Sequence, residues 1–183
     1  FLPDLTRLAS GSSTTNLPKA HIGNIPIKCK PSRQKTATEE KNSRRDALDT
    51  FVLDERLARD SDLLVQLGLC QLRLINDSRW PWLVLVPKRP GVSELFDLTP
   101  LDQAVLTFEQ NMVATALKAL TGATKINIAA IGNVVRQLHV HVIARVEGDA
   151  NWPGPVWGHG TAVPYGEDER RAFQQKILEA IHS

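Results

Sequence analysis

Apolar and polar positions settle into regular periods only after about residue 49. Leu53, Leu57 and Leu64, set among Asp, Glu and Arg, have the spacing of an amphipathic helix. Cys70, Leu72 and Leu74 then alternate with Gln71 and Arg73, the period of a strand with one buried face. Asn76-Asp77-Ser78 marks a turn, and Trp82 to Val86 is an unbroken apolar run closed by Pro87, as in a central strand. A long helix opens at Thr99 as N-cap, with Pro100 in its first position and Asp102 as a capping-box-like acceptor. Leu101, Val105, Phe108, Met112, Ala116 and Leu120 are expected on its inner face, and Gly122 is its stop. Two strands follow, about 125–131 and 137–145, joined through Gly132-Asn133 as an antiparallel hairpin. Residues 149–158 hold too much Pro and Gly for regular structure. Helical spacing returns over Glu167 to His182, with Phe173, Ile177 and Ile181 on one side. This order of elements predicts an α+β fold, an antiparallel sheet with helices packed on one face.

The last of these strands concentrates the candidate chemistry. Alternation places Gln137, His139, His141, Ile143 and Arg145 on one side, and Leu138, Val140, Val142 and Ala144 on an apolar back. Imidazole changes between neutral base and cation near neutral pH, so two on one rigid strand are able to divide labour between nucleophile and phosphate binder. Arg145 adds a cation suited to an anionic substrate. A His-x-His pair also has metal-ligand spacing, but no carboxylate lies close by on the strand to supply a third ligand. No metal or other cofactor is expected, a His-x-His metalloprotein being one alternative.

Composition narrows the partners. The net charge of +2 conceals an asymmetry: residues 1–45 hold nine Lys/Arg against three Asp/Glu, the remainder 13 against 17. The mildly acidic body argues against a nucleic-acid-binding domain. Residues 1–46 read as a basic, flexible extension, an organellar address being the alternative to a cytoplasmic location. Cys29 and Cys70 lie far apart and indicate no disulfide framework; Cys70, within a strand pattern, reads as a small buried hydrophobe. No apolar run reaches the roughly 18–20 residues needed to cross a bilayer.

Gln137-Leu138-His139-Val140-His141-Val142-Ile143 resembles the signature of the histidine triad (HIT) family, His-φ-His-φ-His-φ-φ with φ apolar, with Gln137 in place of the first histidine. The resemblance extends to Leu83-Val84-Leu85-Val86-Pro87-Lys88-Arg89, to Lys125-Ile126-Asn127-Ile128 and to Gly132-Asn133, and is closest to bacterial members with Gln-Leu-His-Val-His. It implies a HIT-like domain over residues 47–160, followed by a C-terminal segment, 161–183, with an amphipathic helix. It also implies attack on the α-phosphorus of a purine nucleotide (a phosphoramidate, ester or dinucleoside polyphosphate) and a homodimer. His139 matches the nucleophile, Gln137 the first and His141 the third triad residue, the three counted as catalytic, with His141, if protonated, a positive donor. Asn127 and Asn133 match polar positions near the phosphate. Asp77, with Asn76 beside it, matches the region that meets ribose. A sensor that binds nucleotide without turnover is the alternative that Gln137 raises.

Overall fold

The computed structural model describes residues 51–182; the basic extension at 1–46 lies outside the described residues. Its elements, in chain order, are α1 (Glu55–Asp60), β1 (Ser61–Gln66), β2 (Cys70–Ile75), β3 (Trp82–Pro87), a short 3-10 turn (Leu95–Asp97), α2 (Pro100–Thr121), β4 (Lys125–Ala129), β5 (Val140–Arg145) and α3 (Glu167–His182). The strands form one antiparallel sheet in the order β1-β2-β3-β5-β4. Leu72, Leu74, Leu83, Leu85, Val140, Val142 and Ala144 point to one face and join Leu106, Val113, Leu117 of α2 and Ile177 of α3 in the main core. Phe173 and Ile181 of α3 pack against the same core, as their spacing predicts. The chain is thus α+β, with both long helices on one side of the sheet.

The opposite face is covered by loops and carries the polar residues. Trp80, Trp82, Ile143 and Val156 form one cluster there, and Leu57, Val84 and Val86 form another against Phe51 and Leu53. β3 and β5, central in the sheet, are buried along their whole length. That is why the run at 82–86 shows no alternation: both faces are covered.

Two expectations about helices are corrected. The helix expected to continue to Leu64 ends at Asp60, and Ser61–Gln66 is an edge strand paired with β2. Leu63-Leu64-Val65 is a consecutive apolar triplet that fits no helical stripe, and a bulge between Leu63 and Val65 accommodates it. Ser61 is held at the start of this strand by buried Arg73, whose Nε donates to its hydroxyl at 2.8 Å and Nη2 to its carbonyl at 2.7 Å.

The long helix begins and ends where expected. Thr99 accepts from the Asp102 amide, and Gly122 takes the left-handed conformation at φ 63° that favours glycine. Its buried face, however, is Asp102, Leu106, Glu109, Val113, Ala116 and Leu117. Only Ala116 is shared with the expected face. Val105, Met112 and Leu120 lie on its flank, and Leu101 and Phe108 are each 69% exposed. Two carboxylates disguise the inner stripe. Asp102 receives Nε and Nη2 of Arg89 at 2.9 and 2.8 Å, and Glu109 accepts the Leu69 and Cys70 amides at 2.7 and 3.0 Å. Buried charge is tolerated where it is paired, so the most polar-looking side of the helix faces the core. Cys70 is fully buried, as expected, and burial together with the Glu109 carboxylate pushes its thiol up, away from reactivity.

Candidate functional site

The site is built where β5 begins. Leu138 N donates to the Val92 carbonyl at 2.9 Å, tying the segment before β5 to the loop after β3. His139 lies one residue before the strand and His141 in its second position, and the two rings meet edge to face, their centroids 4.9 Å apart. Each is more than nine-tenths buried, at 6% and 7% exposure.

The imidazoles are held by opposite kinds of partner. Nδ1 of His139 is 2.7 Å from the backbone carbonyl of Gln137. A carbonyl only accepts, so Nδ1 carries a proton and in the neutral ring Nε2 keeps its lone pair, the tautomer a nucleophile needs. Nδ1 of His141 is 2.9 Å from the indole Nε1 of Trp82. Burial, and secondarily His139, pushes His141 down from 6.5 to about 3. The expectation that a protonated His141 supplies a positive charge is therefore corrected: at neutral pH the ring is uncharged.

This has a consequence for stability. A group whose folded pKa lies below its unfolded value is unstrained above the latter and costs stability as pH falls between the two. We expect unfolding free energy to drop by about 2–3 kcal/mol between pH 7 and pH 4.5 from His141 alone, from the roughly 1.4 kcal/mol that each pKa unit represents. Urea unfolding at the two pH values, repeated with His141→Gln, checks it. The substitution should remove most of the difference.

Gln137 does not act through its side chain on either histidine. Its Oε1 accepts the Asp54 amide and its Nε2 donates to the Val52 carbonyl, both at 2.9 Å, fastening the segment ahead of α1. The expectation of a catalytic side chain at this position is corrected to a main-chain role. The carbonyl that fixes His139 is present whatever the side chain is, so glutamine in the first triad place leaves the tautomer of His139 intact.

A cavity of about 620 Å³ opens beside His139, lined among others by Gly132, Asn133, Arg136, Ser93 and Glu94. It brings His139 and Asn133 together, as expected for a phosphate pocket, and adds the Arg136 guanidinium. A second cavity of about 350 Å³ lies against Trp82, Trp157, Ile75, Asn76 and Asp77. His141 connects the two sides, with ring centroids 5.4 Å from both Trp82 and Trp157.

Three expected ligand contacts are placed differently. Arg145 is 1% exposed, and each of its five N–H donors has an acceptor: both oxygens of Asp149, Oδ1 of Asn127, and the carbonyls of Gly154 and Ala150. It anchors the 149–154 loop instead of facing substrate. Asn127 gives its side-chain oxygen to Arg145 at 3.3 Å, and is not among the residues lining the cavity at His139. Asp77 is also committed: Oδ1 accepts from Nε and the amide of Arg79 and from the Val163 amide, and Oδ2 from Nη2 of Arg79 at 2.6 Å. Burial raises the Asp77 carboxyl, but these donors hold it below the usual carboxylate range. Asn76 accepts the Tyr165 amide while lining the second cavity.

Trp82 and Trp157 are the site residues that sequence reasoning missed. Trp82 looks like one more member of an apolar strand, and only the register, with Trp82 opposite Ile143 and Val84 opposite His141, puts its N–H beside an imidazole. Its one signal is a hydrogen-bond donor in an otherwise aliphatic run. Among the described residues, no three His, Cys, Asp or Glu side chains converge to hold a metal ion, and no helix is long and apolar enough to cross a membrane.

Comparison with known proteins agrees with this fold. The family model of the HIT domain matches residues 56–148. A histidine triad (HIT) protein from Sinorhizobium meliloti 1021 is 65% identical, with a TM-score of 0.72 over 73% of this chain and 98% of its own. Histidine triad proteins from Bradyrhizobium japonicum and Marinobacter aquaeolei VT8 are 43% and 42% identical, each with a TM-score of 0.71 over 72% of this chain and 98% and 96% of theirs. No protein of curated function matches. A family match across half the chain, which includes both histidines, shows that this chain belongs to the histidine triad family.

Proposed function

We propose that this protein is a nucleotide hydrolase or nucleotidyl transferase that attacks the α-phosphate of a nucleoside phosphoramidate, ester or dinucleoside polyphosphate. The observation that carries this reading is the hydrogen bond from Nδ1 of His139 to the Gln137 carbonyl, which in the neutral ring puts the lone pair on Nε2, in a residue that lines an open cavity. In the first step the Nε2 lone pair forms a bond to phosphorus as the bond to the leaving group breaks. Water then displaces the imidazole, releasing the nucleoside monophosphate and restoring His139. Dividing the displacement in two lowers each barrier. Asn133 and Arg136 line the cavity into which the phosphates would extend, where donors are needed as charge develops.

In this reading the nucleoside lies in the cavity against Trp82, Trp157 and Asn76, whose indole faces suit a purine. Asp77 serves it indirectly, by holding Arg79 and, through the Val163 amide, the chain that follows the loop. A second copy of the chain, which the family resemblance implies, would cover the apolar side chains that α2 leaves in solvent, Leu101 and Phe108.

A panel of adenosine phosphoramidate, adenylyl esters and dinucleoside polyphosphates tests the proposal. We expect turnover of at least one, releasing AMP and insensitive to EDTA. Tight binding of AMP with no turnover across the panel would favour the sensor. Activity abolished by EDTA and restored by zinc would contradict the reading of His139 as nucleophile.

A further inference from the structure

Trp82 is 9% exposed and wedged between other aromatic rings, its centroid 6.3 Å from Trp80, 5.9 Å from Trp157 and 5.4 Å from His141, all edge to face. Such packing leaves the indole little freedom to turn. Its neighbours Trp80 and Trp157 use their N–H groups otherwise: Trp80 Nε1 donates to the Ala150 carbonyl at 3.2 Å, and Trp157 Nε1 is buried without a partner. Trp82 alone of the three aims its N–H at an imidazole.

We infer that Trp82 is a positioning residue for the proposed nucleotidyl transfer: its indole N–H, bound to Nδ1 of His141, holds that imidazole as the neutral tautomer protonated on Nε2. An indole nitrogen donates and never accepts, so Nδ1 of His141 must present its lone pair. The ring proton is left on Nε2. The two histidines are then fixed in complementary states by partners of opposite polarity. The Gln137 carbonyl gives His139 a free Nε2, and the Trp82 N–H gives His141 an Nε2–H. One ring is a nucleophile and the other an uncharged hydrogen-bond donor at its edge, 4.9 Å away between centroids.

No carboxylate touches His141 among the described residues, and the titratable group facing it is His139. The ring therefore has no anionic partner to make it imidazolium, and an indole hydrogen bond sets its proton position in place of an ion pair. A neutral donor also avoids a cation beside His139, which would withdraw the electron density that the nucleophile needs. The strand register delivers this arrangement: Trp82 and His141 are diagonal neighbours on the same face of adjacent strands.

The inference rests on the proposed function for its catalytic consequence, but its structural core is testable without substrate. Nitrogen-15 NMR of the imidazoles in the full chain at pH 7 should give His141 a pyridine-like Nδ1 and a pyrrole-like Nε2. His139 should give the reverse. Trp82→Phe keeps an aromatic ring, a smaller one, and removes the N–H. We expect it to broaden or average the His141 signals and to leave the His139 pattern in place. On whichever substrate the panel identifies, it should lower kcat by about ten- to a hundredfold, at or below the low end of what a proton-transfer group itself supplies, with KM changed less than about threefold. Trp82→His, with a donor nitrogen at a similar reach from Cβ, should recover part of kcat and of the spectral signature. A loss through packing alone would not follow that donor. Wild-type His141 protonated on Nδ1 would overturn the inference, even if Trp82→Phe fails to fold. So would a Trp82→Phe protein with unaltered His141 signals and unaltered kcat. A protein inactive on every substrate, yet showing the two tautomers, would sink the proposed function and leave the Trp82 assignment standing.

Discussion

Replacing His139 with alanine is expected to abolish turnover, lowering kcat by about four orders of magnitude or more, as loss of a covalent nucleophile does elsewhere. The other histidine of the pair lacks the required state. His141 is close enough, but Trp82 occupies the lone pair of its Nδ1 and its Nε2 carries a proton. Asn133 and Arg136 are not nucleophiles, and Cys70 is fully buried. The fold should survive. His139 contributes a hydrogen bond to a carbonyl and an edge contact with His141, so the loss is about 1–2 kcal/mol, a few degrees in thermal midpoint. A variant that keeps its near-UV circular dichroism and binds AMP while losing turnover meets the expectation. Retention of more than about a tenth of kcat would contradict it.

The second large effect is on stability. Arg145→Ala removes the centre of a buried network in which five donors meet Asp149, Asn127, Gly154 and Ala150. Asp149, whose side chain is 8% exposed, would lose its ion partner and be left a buried unpaired carboxylate. Breaking a buried pair from one side costs about 3–5 kcal/mol. The damage would extend along the loop: Ala150 accepts from Trp80, and Arg145 stacks over Trp152 at 5.6 Å. Chemical denaturation should show the loss directly. Arg145→Ala with Asp149→Ala should recover part of it, because the second change removes the stranded charge. A loss below about 1 kcal/mol would return Arg145 to the role of an exposed, substrate-facing cation.

Much of this architecture was legible because local signals agreed. Thr99-Pro100 and Gly122 bracket the long helix, alternation around Leu72 and Leu74 marks β2, and the apolar run at 82–86 marks a strand covered on both faces. The failures have a common physical source: polar residues whose partners are distant in sequence. Glu109 and Asp102 look solvent-facing until the amides of Leu69 and Cys70 and the guanidinium of Arg89 are brought to them by the fold. Reading them as surface rotated the inner face of the helix onto Leu101 and Phe108.

The same source explains the site. Alternation and family resemblance found His139 and His141, but not what each ring nitrogen touches. Arg145, Asn127 and Asp77 have the chemistry to bind nucleotide, yet Asp149 claims Arg145, Arg145 claims Asn127 and Arg79 claims Asp77. Gln137 shows the converse. Its side chain departs from the triad pattern, but the atom that meets His139 is its carbonyl, which no side-chain motif records. Trp82 was hidden because its contribution depends on register between β3 and β5.

The central claim is that Nε2 of His139 forms a covalent bond to the α-phosphorus. Rapid acid quench of the protein with a radiolabelled dinucleoside polyphosphate or adenosine phosphoramidate, followed by peptide mapping under conditions that preserve phosphoramidates, tests it most directly. The account predicts label as a nucleotidyl group on the peptide containing His139, present in wild type and absent from His139→Ala. Turnover with no label on that peptide at any quench time, or label that persists in His139→Ala, would contradict it.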